Sequence, residues 1–510
     1  MSAIELSIMA VILCYICFVI LAGVLIGRRS KSGAEGFYLG GRGLGPLVTA
    51  MSAEASDMSS WLLMGLPGLA YLTGAADAGW TAVGLAVGTY LNFLLVAKRI
   101  RRYSVQLDAI TIPAFLSRRW RERRPILMCI ASLAILVFFV PYVASGLAAI
   151  GKLFHSLFGW NYMLAVILGA LVIISYTTVG GFSAVATMDL IQSIIMSVAL
   201  VTITCFGIHQ AGGISAIMDT IQALPGYLSL TQSYDPALGT AHPYSAVNGF
   251  SLVAWGLGYF GMPHILVRFM AIREEKELRT SRRIAVVWVI VSMVVALCIG
   301  IIGRGVSAAG RIPQLEGSAS ETVIVHITGL MASYGVLPAI VAGLILAGIL
   351  AATMSTADSQ LLAASSAFSE NLLRDVLGIQ LSQKQTMHVA RLTVVCIALL
   401  AVFLARDPQS SVFAIVSFAW AGFGATFGPA ILFALFWRRS NRQGILAGML
   451  AGGVTVFVWK FWIRPWGGVW GMYELLPAFL CASAVVVLVS LLTPAPDETV
   501  TKDFDAYRGV

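Results

Sequence analysis

Apolar runs of about twenty residues or more, joined by short polar links, fill the chain from residue 4 to residue 493. Read as bilayer-crossing helices they number about thirteen, at 4–27, 45–71, 78–97, 125–152, 160–178, 185–209, 247–270, 280–303, 325–366, 388–405, 411–437, 443–463 and 473–493. The ninth is overlong and predicts a helical extension at its inner end. Three runs carry polar positions at membrane depth. In the second, SAEASDMSSWLLMGLPG (52–68) places Glu54, Asp57 and four serines near the midpoint, with Pro67 and Gly68 following. A carboxylate there costs about 3 kcal/mol unless it faces protein, water or an ion. The crowding of small residues predicts a broken helix whose freed carbonyls turn toward a hard cation. The seventh run, AWGLGYFGMPHILVRF (254–269), combines glycines with Pro263 and predicts a second break. In the ninth, ILAATMSTADSQLLAASSAFSEN (349–371), Ser355 and Ser359 share a helix face and Asp358 stands beside them.

Composition settles the class. Hydrophobic residues make up 58% and charged residues 11%, against about 25% charge in soluble domains, so the chain is a polytopic membrane protein. The net charge of +9 is not a nucleic-acid footprint, because Lys and Arg sit in short links between apolar runs. Arg28, Arg29 and Lys31, then KRIRR (98–102), RRWRERR (118–124), REEKELRTSRR (273–283) and RRSNR (438–442) all fall on one side when the spans alternate. The positive-inside rule makes that side cytoplasmic, with the N-terminus outside and the C-terminus inside. The first run is too long for a signal-peptide core and is kept as a membrane helix. Seven cysteines lie in apolar runs without a paired-cysteine motif and read as small buried hydrophobes.

Gly84/Gly88 and Gly444/Gly448/Gly452 are spaced for close helix packing. GLAAIGKL (146–153) imitates a phosphate-binding loop, but Leu153 replaces the hydroxyl residue and no strand precedes it. Six scattered histidines form no HExxH pair, and no nucleophile arrangement is apparent, so an enzyme is not expected.

The strings LGGRGLGPLVTAMSAEASDMSSWLLMGLPG (39–68), YVASG (142–146), AWGLGYFGMPHIL (254–266), MSTADSQLL (354–362) and WAGFGATFGP (420–429) resemble the sodium/solute symporter family. The resemblance runs from about residue 5 to residue 490. It implies an all-α, LeuT-type fold of two inverted five-helix repeats, at 45–209 and 247–437. An extra N-terminal helix (4–27), two peripheral helices (443–493) and a cytoplasmic tail (494–510) would complete one transporter domain. It implies sodium-driven import of L-proline across a bacterial cytoplasmic membrane, with Na+ as coupling ion and no protein partner called for. Alternatives are another small carboxylate, such as pantothenate or acetate, or a transporter-like sensor.

Carried over by position, sodium would be bound by the carbonyls of Ala55, Met58 and Ala352 and the hydroxyls of Ser355 and Thr356, with Asp57 the coupling acid. Substrate would meet Ser59, Tyr142, Trp255, Tyr259, Pro263 and Ser359. Asp189, in GGFSAVATMDLIQS (180–193), and Asp358 would form a second cation site on the exit path. The residues suit these roles, since a hard cation prefers oxygen ligands and an aromatic pair at i and i+4 can cover an apolar ring and its ammonium. The chain departs from the family pattern at Glu54, Ser60, Met262, Asp358 and Ser359.

Overall fold

The computed structural model describes residues 2–27 and 34–508; Arg28, Arg29 and Lys31 lie outside them. In chain order the helices used below are α1 (Ala3–Ile26), α2 (Pro46–Ala55), α3 (Trp61–Thr73), α4 (Ala75–Gln106), α5 (Ile112–Arg119), α6 (Ile126–Phe158), α7 (Tyr162–Ser175), α8 (Gly181–Gln210), α9 (Ala246–Gly261), α10 (Pro263–Ala271), α11 (Glu275–Ala308), α12 (Val323–Ala332), α13 (Val336–Val376), α14 (Lys384–Leu404), α15 (Val412–Phe436), α16 (Arg442–Trp466), α17 (Leu475–Leu492) and α18 (Glu498–Arg508). Among the described residues ten of these are long and apolar enough to span a bilayer, or eleven when α9 and α10, bent by 49°, count as one.

The expected thirteen is therefore not reached by length and composition. The run at 45–71 divides into α2 and α3, and the run at 160–178 yields the short α7. The helix containing α7 continues into α8 except at Gly181, whose φ of 63° breaks its path. The ninth run is also redrawn. Its first residues form the separate α12, and α13 starts at Val336 and carries the predicted extension to Val376.

Local signals explain the starts. Asn161, Ser411 and Asn441 cap α7, α15 and α16 by accepting amide hydrogens from Leu164, Ala414 and Gly444 at 2.8–3.1 Å. Pro46 and Pro263 open α2 and α10, where a missing N–H costs nothing. The glycine spacings do what their pattern predicts. A Cβ on Gly84 or Gly88 would collide with the backbone of Val253 or Gly256, so α4 lies against α9 backbone to backbone. Gly444, Gly448 and Gly452 likewise meet Ser490, Val486 and the backbone of Ala425.

The link at 210–245 carries a short helix (Ile214–Gln222) and then a small antiparallel hairpin, β1 (Gln232–Asp235) with β2 (Thr240–Pro243). At the opposite end the expected tail is a seated helix. In α18, Asp503 pairs with Arg121 at 2.8 Å and Asp505 with Arg438 at 2.9 Å. The Tyr507 ring stacks on Tyr103 with centroids 4.3 Å apart and planes 3° from parallel. Its hydroxyl donates to the Leu435 carbonyl at 2.6 Å.

Candidate functional site

The first break is built by backbone bonding. The amides of Asp57 and Met58 both donate to the Glu54 carbonyl, at 3.1 and 2.8 Å, which tightens the turn beyond α2. In an unbroken helix Ser59 would donate to Ala55; here its amide donates to Asp57 at 2.8 Å. The Ala55 carbonyl is thereby released in the middle of the protein. Ser355 donates to it at 2.8 Å and Thr356 approaches at 3.4 Å, and the Ser355 hydroxyl also lies 3.1 Å from the Ala352 carbonyl. Four of the five expected sodium ligands therefore meet. Met58 is buried in the same turn, but among the described residues no bond ties its carbonyl to the cluster. Two carbonyl and two hydroxyl oxygens converge here, a set that suits a small hard cation.

Asp57 faces a different set. Tyr259 donates to one carboxylate oxygen at 2.6 Å, and Tyr142 sits 3.5 Å from the other and 3.1 Å from the Asp57 carbonyl. The indole N–H of Trp61 donates to that same carbonyl at 3.0 Å. Two residues expected to touch substrate thus hold the expected coupling acid through their hydroxyls. Glu54, also buried, takes a long bond of 3.4 Å from Thr89.

Trp255 lies inside a cage of rings. Trp61 stands 6.1 Å away, Phe413 5.2 Å, Trp420 6.1 Å and Tyr473 5.1 Å, and the Trp420 N–H donates to the Trp255 carbonyl at 2.8 Å. Tyr259 meets Trp420 edge-on at 5.1 Å. Pro263 begins α10 below this cage, and the Ser59 hydroxyl accepts from the Trp61 amide at 3.4 Å. Ser359 is elsewhere: it accepts from Arg268 and donates to Asp358 at 3.4 Å.

That arginine is the residue sequence reasoning missed. Arg268 is 1% exposed and bonds Asp189 at 3.1 Å, Ser52 at 2.9 Å and the His264 carbonyl at 2.6 Å. Ser52 in turn donates to Asp189 at 2.6 Å. Asp189 and Asp358, expected to share a cation, flank a group in which a guanidinium already occupies one Asp189 oxygen. The signal was present, since a basic residue within a span is functional by default.

A second buried pair closes the other end. Lys152, from the rejected phosphate-loop imitation, bonds Glu321 at 2.7 Å. Glu321 also accepts from Ser411 at 2.8 Å and from the amides of Val412 and Phe413 at 3.0 and 3.1 Å, at the first turn of α15.

Set against known proteins, residues 37–452 match the sequence model of the sodium:solute symporter family. The sodium/proline symporter of Escherichia coli K12 is 40% identical over 494 residues, covering 96% of this chain and 94% of that one. The osmoregulated proline transporter OpuE of Bacillus subtilis is 38% identical over 484 residues, covering 93% and 94%. Among solved structures, a Na+-coupled sialic acid symporter in a substrate-bound outward-open state superposes with a TM-score of 0.77 at 19% identity, over 96% of this chain and 99% of that chain. Mhp1, a nucleobase-cation-symport-1 family transporter, gives 0.55 at 13% identity, over 92% and 98%. At such identities the two structures speak for the fold alone, and that fold is LeuT-type.

Proposed function

This chain belongs to the sodium:solute symporter family, and from that premise we propose that it carries L-proline inward with sodium across a bacterial cytoplasmic membrane by alternating access. The observation that carries the proposal is the single turn at 55–59. On one side it releases the Ala55 carbonyl to Ser355 and Thr356, and on the other it presents Asp57 to Tyr259. An ion bound by Ala55, Ala352, Ser355 and Thr356 would tie the first broken span to α13 and fix the turn that aims Asp57. Met58 would complete that ligand set through its carbonyl.

The aromatic cage supplies the other half. Trp255 and Tyr259 offer apolar faces for a pyrrolidine ring and π density for its ammonium, worth about 2 kcal/mol when water is excluded. Amides without helical partners at the start of α10, beside Pro263, suit the carboxylate. The names borne by the relatives at 37–40% identity support proline over other small carboxylates.

The two halves would be inverted repeats at 45–209 and 247–437, each beginning with a broken span. We place the N-terminus outside and the C-terminus inside. The basic clusters at 98–102, 118–124 and 438–442 support this, since their members Arg102, Arg121 and Arg438 hold acidic partners at one end of the molecule. Asp189 and Asp358 would line the inward route, where Arg268 takes part of the negative charge and leaves room for one further cation.

Uptake of labelled proline into proteoliposomes with sodium, lithium or protons as the sole gradient tests the reading. Accumulation driven by sodium is expected. Equal accumulation without a sodium gradient would remove it.

A further inference from the structure

Tyr473 lies beyond the segment matched by the family model and beyond both proposed repeats, in the link between α16 and α17. It nonetheless reaches the centre of the aromatic cage. Its ring is 4% exposed and stacks on Trp255, 5.1 Å between centroids and 19° between planes. Its hydroxyl donates to the Ser417 carbonyl of α15 at 2.7 Å, and its amide donates to the Ser251 hydroxyl of α9 at 2.5 Å. We infer that Tyr473 is the outer gate residue of the substrate site, a ring lent by the peripheral helices that must withdraw before a solute from outside can lie on Trp255.

The anchoring of the link supports this. Glu474, fully buried, pairs with Arg464 at 2.8 Å and Lys460 at 3.5 Å, and Trp459 donates to the Met472 carbonyl at 3.1 Å. These bonds fasten the base of the link to α16. The tyrosine crosses over, and it grips α9 through Ser251 and Trp255 and α15 through Ser417. The other rings around Trp255 are built into helices, and Trp420 is bonded to the Trp255 backbone itself. Tyr473 is therefore the ring that can leave without unfolding a span. While it is in place, α9 and α15 are braced together and one face of Trp255 is covered.

The inference rests on the reading of Trp255 as part of the proline site, and the experiment separates the two. Wild-type protein in proteoliposomes must first show sodium-driven proline uptake; if it does not, the reading fails before the gate is tested. Tyr473→Ala is then expected to speed exchange of labelled proline from the outer face and to lower the external KM about fivefold or more, a shift of about 1 kcal/mol. The half-saturating sodium concentration should stay within about twofold. Tyr473→Phe, which keeps the ring and loses the bond to Ser417, should stay nearer wild type in KM. Ser251→Ala, which removes the acceptor for the Tyr473 amide, should move exchange in the same direction as Tyr473→Ala. If Tyr473→Ala does not fold, Tyr473→Phe and Ser251→Ala decide, and wild-type exchange in both overturns the inference. So does a Tyr473→Ala protein with wild-type exchange and KM, or one whose sodium and proline dependence weaken together.

Discussion

Tyr259 donates its hydroxyl to Asp57 at 2.6 Å, although the two residues stand 202 positions apart. The bond joins the two broken spans at their breaks. A change at either break is thereby felt at the other, which is what coupling an ion to a solute requires.

Asp57→Asn should nearly abolish sodium-driven uptake while the protein still folds, because the amide keeps the shape and loses the charge. Sodium titrations of wild type and variant decide it. Tyr259→Phe should raise half-saturating sodium less, since Tyr142 stays beside the carboxylate. Equal sodium dependence in Asp57→Asn and wild type would contradict the role of the acid.

Ser355→Ala should weaken sodium dependence more than Thr356→Ala does. The hydroxyl of Ser355 lies within 3.1 Å of both carbonyls, whereas Thr356 is 3.4 Å from the nearer one. A loss of about tenfold in apparent sodium affinity, about 1.4 kcal/mol, is expected for Ser355→Ala. The reverse order in sodium-dependent uptake would misplace the ion.

Arg268→Gln should leave Asp189 with an uncompensated charge in a dry site and impair sodium-driven uptake. Asp358→Ser should lower the Hill slope for sodium if the inner acids hold a cation. A wild-type slope and pH dependence in Asp358→Ser would reduce that acid to a packing role.

Lys152→Met breaks a buried ion pair, a change that costs about 3–5 kcal/mol in general. Glu321 keeps three other donors, so the lower end is expected. The thermal midpoint in detergent should fall; an unchanged midpoint would show that those donors suffice.

The ion pairs that help seat α18 on Arg121 and Arg438 are exposed, so salt is their sensitive variable. The hydrogen bond from Arg438 holds the Asp505 carboxyl below the usual carboxylate range. A depressed group contributes docking that is present above its ordinary pKa and lost as pH falls through the lower, docked value. Hydrogen-exchange protection factors in 498–508 should therefore be flat above about pH 5, and should fall with added salt. Asp505→Arg should detach the helix, and Arg438→Asp in the same chain should restore it.

Asp57, Trp255 and Tyr259 were legible because an acid, or an aromatic pair among glycines, is anomalous inside an apolar run. Their relation was not, because it depends on bringing two distant breaks together. Arg268 is less legible, since the glycines and Pro263 of its string signal helix breaking more strongly than the single charge at its end signals a site. Glu321 stands in the link between two apolar runs, and its partner Lys152 sits in a string that imitates a phosphate-binding loop, so neither points to the other. The division of 325–366 could not be seen by hydropathy, since α12 and α13 are both apolar and only Gly335, at φ 131°, marks the turn between them.

Ala55 and Ala352, like Met58, would contribute main-chain oxygen alone to the proposed ion cluster. No substitution at either position can delete its ligand, so a mutational scan there reports crowding and says nothing of coordination. Inheritance can tune the ion site only through the hydroxyls of one helix, at Ser355 and Thr356, or through whatever alters the pitch of the turn at 55–59. The selectivity of such a transporter is therefore stored largely in the path of its backbone, where a comparison of side chains reads silence.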